Sequence, residues 1–114
     1  MDFSENQPIY QQISDHICNQ ILDKKWTPDD RIPSVREIAV AMEVNPNTAM
    51  RAFQILQEKG ILVNKRGVGH FIADDAYETV LELKRNEFIE TDVPAFIKSM
   101  KRLGYSLSDI KDLA

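Results

Sequence analysis

At 114 residues the chain has room for one domain, or one domain with a small appendage, and little space for a ligand pocket beside its core. Its 43% apolar and 28% charged residues are those of a globular protein, no apolar run is long enough to span a bilayer, and one cysteine excludes an internal disulfide framework. The net charge of −4 counts against nucleic acid as a partner, but residues 31–73 hold six basic side chains (Arg31, Arg36, Arg51, Lys59, Lys65, Arg66) against three acidic ones (Glu37, Glu43, Glu58), a local balance of +3, and a phosphate backbone meets the local field.

Residues 1–5 lack the basic start of a signal peptide. With the single cysteine, this fits a reducing cytoplasm. Pro8 opens a first helix that runs to about Lys24. Ile9, Ile13, Ile17 and Ile21 recur every fourth residue, with Tyr10 and Leu22 widening the stripe. Cys18 falls within this apolar pattern and reads as a small core residue, and His16 as a solvated one. Trp26 is read as a plug at the core edge. Pro28 presets a turn, and Asp29 tolerates a left-handed backbone. Ile32 precedes Pro33 and is biased to an extended conformation, so a short strand is expected there.

Residues 34–51 read as two short helices joined by a tight turn. Ser34 caps the first, and Glu37 completes a Ser-x-x-Glu capping box. Val35, Ile38, Ala39 and Met42 repeat at helical spacing. Val44 points inward from the turn. Asn45 caps the second helix, and Pro46 suits its first position, where no amide hydrogen is needed. Ala49, Phe53 and Leu56 face inward, while Asn47, Thr48 and Arg51 lie on the exposed start. Short polar side chains and one arginine at the leading end of such a helix are what reading base edges requires. Taken alone, the stretch is also compatible with an ordinary helical hairpin.

Lys59-Gly60 ends the second helix. Ile61-Leu62-Val63 and His70-Phe71-Ile72 read as a hairpin around a turn at residues 64–69. Beside a helix-turn-helix this hairpin is a wing. Lys65 and Arg66 at its tip approach phosphates or a minor groove, where glycine lets the backbone come close. His70 lies at the groove edge or faces solvent. From about Asp75 only helical patterns remain. Tyr77, Val80, Leu81 and Phe88 make one apolar face. Asp92-Val93-Pro94 interrupts it, with Pro94 in the first turn of a new helix. Phe96, Ile97, Met100 and Leu103 make the next face, closed by Gly104. Ser106 caps a last short helix bearing Leu107, Ile110 and Leu113. These helices are too short to stand alone, and a second copy of the chain is the expected cover.

The chain resembles the gluconate-repressor (GntR) family of bacterial transcription regulators over roughly residues 8–73. The resemblance is carried by Pro8-Ile9-Tyr10 with Gln12-Ile13, by Arg31-Ile32-Pro33-Ser34-Val35-Arg36-Glu37-Ile38-Ala39, and by Val44-Asn45-Pro46-Asn47-Thr48 with Arg51-Ala52. Glu58-Lys59-Gly60-Ile61-Leu62 and Arg66-Gly67-Val68-Gly69-His70-Phe71-Ile72 complete it. The Asn-Pro-Asn-Thr element and the short tail look most like the YtrA branch, whose members are small dimeric repressors, commonly of transporter operons, without the larger effector-binding domains. The resemblance implies that Arg36 contacts the DNA backbone or groove edge. Asn45, Asn47 and Thr48 would place the recognition helix and touch phosphates or bases. Arg51 would reach DNA from the next turn, and Gly69 would sit at the wing tip in the minor groove beside Lys65 and Arg66. Three departures stand out. Pro28-Asp29-Asp30 replaces the family's Pro-Gly-Asp turn, Met50 stands where many relatives carry a second basic residue, and His70 replaces a commoner threonine or serine.

The expected fold is mainly α with a small β-hairpin: a winged helix-turn-helix over residues 1–74, then a helical dimerisation tail over 75–114. The expected function is a cytoplasmic, homodimeric DNA-binding regulator, a repressor on an inverted-repeat operator. Its recognition helix (about 46–58) lies in the major groove and its wing (about 61–73) in the minor groove. Ser34, Arg36, Asn45, Asn47, Thr48, Arg51, Lys65, Arg66, Gly69 and His70 form the expected DNA-binding set. The competing class is a winged helix that binds protein and has no DNA affinity. No cofactor is expected: His16, Cys18 and His70 form no metal-ligand pattern, and Gly67-x-Gly69 joins two strands instead of opening a helix. Tyr77, Phe88, Phe96 and Tyr105 are read first as dimer packing; a small-molecule effector bound between the tail helices is possible but rests only on their apolar surface.

Overall fold

The computed structural model describes residues 7–114, so the segment at residues 1–5 lies outside them. The chain divides into two compact units, one ending at Leu81 and the other beginning at Glu82. The first holds three helices, α1 (Ile9–Leu22), α2 (Val35–Met42) and α3 (Pro46–Glu58), and a two-stranded antiparallel sheet of β1 (Leu62–Lys65) and β2 (Gly69–Ile72). A fourth helix, α4 (Ala76–Glu87), begins in this unit and runs past its end.

The core of the first unit is built where the periodicities predict. Ile13, Ile17, Cys18 and Ile21 of α1 meet Ile38 and Ala39 of α2 and Ala49, Ala52, Phe53 and Leu56 of α3. Ile61, Leu62 and Ile72 close it from the hairpin, and Ala76 and Val80 from α4. Trp26 packs partly buried against this cluster. Ile9, expected at the head of the α1 stripe, is instead exposed, because it stands on the first helical residue, one turn beyond the core edge.

The helix ends follow from local chemistry. The Ser34 hydroxyl accepts from the Glu37 amide, and the Glu37 carboxylate accepts from the Ser34 amide, so the capping box is complete. Asn45 Oδ1 accepts from the Asn47 amide at 2.8 Å. α3 closes with the Gly60 amide donating to the Gln57 carbonyl and the Ile61 amide to the Leu56 carbonyl, Gly60 lying at φ 75°. The same pair of bonds closes α1 at Leu22, short of the expected Lys24. Lys24 takes the left-handed position at φ 59°, where no glycine marks the stop.

Three other boundaries differ from expectation. The strand expected at Ile32 is a single bridge, Arg31 to Phe71. Backbone bonds from Asp29 to Ile72, Ile72 to Asp30 and Ile32 to His70 run the segment along the free edge of β2. Pro33 has no amide to extend this ladder. β1 starts at Leu62, because the Ile61 amide is engaged in closing α3. The wing turn is shorter than expected: Lys65 pairs with Gly69, leaving only Arg66, Gly67 and Val68 to reverse the chain.

The second unit continues α4 through a π-helical turn (Phe88–Asp92) into α5 (Val93–Arg102), so Asp92-Val93-Pro94 does not break the helix. The Val93 amide reaches back five residues to the Phe88 carbonyl. Pro94 cannot donate, and its ring crowds the carbonyl four residues earlier; the wider turn relieves that crowding. Gly104 at φ 77° ends α5, and α6 (Leu107–Ile110) starts at Ser106, whose amide donates to Asp109 Oδ2 at 2.7 Å. No described residue of α5 or α6 is buried. Phe88, Ile89, Phe96, Leu103, Tyr105 and Leu107 are all exposed. No helix among the described residues is long and apolar enough to cross a membrane.

Candidate nucleic-acid interface

The leading end of α3 is the natural starting point for the site. Asn45 and Pro46 fix where the helix begins. From there Asn47, Met50, Arg51 and Gln54 fall on one face, at spacings of three and four, and all four are exposed. Thr48 is half-buried beside them. The first amides of the helix add a partial positive charge at the same end. A helix face with amide, thioether, guanidinium and amide side chains in a row offers both hydrogen bonding and apolar contact to base edges. Gln54 was not singled out in the sequence, although helical spacing from Asn47 places it on this face.

Arg51 does not simply extend outward. Its guanidinium carbon lies 4.0 Å from the centroid of the Tyr10 ring, on α1. Tyr10 itself is half-buried against the core. Arg36 stands exposed in the first turn of α2, two residues from the Ser34 cap. Hydrogen bonds from the Ser34 backbone and then its hydroxyl hold the Glu37 carboxyl below its ordinary range, with Arg31 assisting through its charge.

Arg31 ties this corner to the wing. A Cβ built on Gly69 would lie 2.9 Å from Arg31 Nε, so the arginine side chain lies over the glycine. Gly69 is therefore not at the wing tip. It is the first residue of β2, at φ 145°, and the glycine of the turn itself is Gly67 at φ 78°. Arg66 is exposed at that turn. The Lys65 ammonium lies 4.2 Å from the centroid of Phe71, diagonally across the two strands.

His70 is half-buried on β2. Its ring packs edge-on to Phe53 of α3, with centroids 4.8 Å apart and planes at 78°. Burial holds its imidazole below the ordinary value. The structure thus brings Arg31 over Gly69 and within the field of Glu37, which Ser34 caps, and leaves Arg36, Asn47 and Arg66 as separate exposed groups. Arg51, Lys65 and His70 are each seated on an aromatic ring, pairings that sequence spacing alone does not reveal.

Known proteins match both the sequence and this geometry. The family model described as bacterial regulatory proteins, gntR family, matches residues 9–72. The HTH-type transcriptional regulator YhcF of Bacillus subtilis (strain 168) is 40% identical over 108 residues, covering 95% of this chain and 88% of YhcF. The HTH-type transcriptional repressor YtrA of the same organism is 37% identical over 84 residues, 74% of this chain and 65% of YtrA. Among solved structures, a GntR family transcriptional regulator from Listeria monocytogenes superposes with a TM-score of 0.75 at 32% identity, covering 97% of this chain and 96% of that one. AraR(DBD) in complex with operator ORR3 superposes with a TM-score of 0.57 at 32% identity, over 58% of this chain and 80% of that one.

Proposed function

This chain belongs to the gntR family of bacterial regulatory proteins and is a DNA-binding transcription regulator, not an enzyme; from that premise we propose that it is a repressor acting in the cytoplasm as a homodimer on an inverted-repeat operator. The observation that carries the reading is the exposed face of Asn47, Met50, Arg51 and Gln54 at the capped start of α3. That face enters the major groove, with Asn45 and Thr48 placing its leading end. Arg36, with Ser34 beside it, takes a phosphate. Lys65, Arg66 and the glycine-bearing wing turn approach the minor groove. Gly69 serves by admitting Arg31, and His70 serves by packing the wing to α3. The repressor reading is supported by the likeness to YtrA, and the operator reading by the likeness to AraR(DBD) with its operator.

Residues 1–74 are assigned to DNA binding and 75–114 to dimerisation, except that Ala76, Tyr77 and Val80 at the start of α4 pack on the core of the first unit, so Tyr77 is not the dimer packing expected of it. The support is the exposed apolar row of α5, α6 and the π turn, a surface that a second copy would cover. Two-fold pairing places two α3 helices about 34 Å apart, one turn of DNA. Selecting duplexes from a random-sequence pool tests the whole reading. The intact protein is expected to enrich an inverted repeat with half-sites about one turn apart, and the Arg36→Ala/Arg51→Ala variant to enrich nothing. A folded intact protein that enriches no duplex at low salt would move the assignment to a protein-binding winged helix.

A further inference from the structure

We infer that Tyr10 is a positioning residue for base reading: its ring is the plate on which the Arg51 guanidinium is held toward DNA. The inference rests on the reading of α3 as the recognition helix and adds a residue from α1 to its specificity.

The geometry is specific. Tyr10 is the second residue of α1, and Arg51 lies one turn beyond Asn47 on α3. The Arg51 guanidinium carbon stands over the ring face at 4.0 Å, a stacking distance. Among the described residues no carboxylate pairs with Arg51. A guanidinium packed on a ring instead of a carboxylate keeps its N–H donors available to another partner. A carboxylate partner would have consumed two of those donors and cancelled the charge. The ring does neither.

Two consequences follow for recognition. A long, rotamer-rich side chain normally loses that freedom when it binds; a side chain already seated has less to lose. A fork held in place by the ring also favours a ligand edge with two acceptors, as guanine presents with O6 and N7. Tyr10 is itself half-buried against the core, so the plate is anchored. In sequence it looked like a flank of the α1 apolar stripe, because the contact joins residues 41 positions apart.

The test uses the full chain and a duplex selected by the intact protein, with affinity and base preference measured for Tyr10→Phe, Tyr10→Leu, Arg51→Ala and the Tyr10→Leu/Arg51→Ala pair. Tyr10→Phe keeps the ring and should bind within about twofold. Tyr10→Leu should weaken binding roughly three- to thirtyfold and relax preference at the same base position that Arg51→Ala relaxes. In the Arg51→Ala background, Tyr10→Leu should cause no further loss. If Tyr10→Leu does not fold, as thermal melting would show, Tyr10→Met fills the space without a ring and takes its place. Full affinity and preference in the ringless variant, with both lost in Arg51→Ala, overturns the positioning role and leaves the recognition helix standing. Losses that add fully in the pair overturn it too, because Tyr10 would then act through packing. An Arg51→Ala variant that binds and discriminates normally removes the recognition reading itself, and the inference with it.

Discussion

His70 carries a pH dependence that follows from where its ring sits. Packed against Phe53 and partly desolvated, it is held below its ordinary value of 6.5. The unfolded chain therefore takes up a proton at this residue before the folded chain does. Its contribution to stability is complete above about pH 6.5 and declines as the pH falls toward the folded-state value. Glu37 and Asp109 are also held below their ordinary values, by hydrogen bonds from Ser34 and Ser106, and they act lower, below about pH 4.5. Thermal unfolding midpoints measured between pH 7 and 5 should fall for the intact protein and fall less for His70→Gln. The slope is the readout, because losing the ring contact also lowers the level. A second residue-scale prediction concerns Gly60, whose φ of 75° closes α3 over open space. Gly60→Ala should destabilise by about 1 kcal/mol in urea titration, through backbone strain alone.

At the scale of elements, the exposed face of α3 predicts more than its arginine. Met50, 40% exposed, stands between Asn47 and Gln54 on that face. A thioether has little to offer a base as a hydrogen-bond partner, but it matches the thymine methyl group. Replacing thymines of the selected operator by deoxyuridine, one at a time, should weaken binding at one position per half-site, and Met50→Ala should abolish that sensitivity. Equal tolerance at every thymine would place Met50 away from any methyl. What could be read from the sequence on this element was local. Asn45, Pro46, Ser34 with Glu37, and the left-handed Asp29 act on neighbours a few residues away, and their chemistry appears in the sequence in order. The seating of Arg51 on Tyr10, of His70 on Phe53 and of Arg31 over Gly69 was not legible, since each joins elements whose approach is set by packing. Pro94 does stand in the first turn of α5, but the π turn that joins α4 to α5 without a break was not legible. A proline inside a helix is normally a stop, and here one widened turn absorbs it.

For the whole molecule, the question is how a chain of net charge −4 binds DNA. A single winged unit with a local balance of +3 is a weak ligand for phosphate, and joining two copies multiplies their effect on one duplex. Affinity, dimerisation and salt dependence are therefore coupled, and they should move together. Ile97→Asp places a charge on the exposed apolar row of α5. If a second copy covers this row, as proposed, sedimentation should then find a monomer, with DNA binding weakened by about tenfold or more. Salt titration separates the terms further, because log K falls against log salt by about 0.9 for each phosphate neutralised. If Arg36 contacts one phosphate in each subunit, Arg36→Ala should lower the magnitude of the slope by about 2 for the dimer and about 1 for the Ile97→Asp monomer. If Arg51 contacts a base, Arg51→Ala should weaken binding while leaving the slope nearly as it was. An Arg36→Ala protein that loses affinity with an unchanged slope would show that Arg36 acts by shaping the start of α2 and not by meeting the backbone of the DNA.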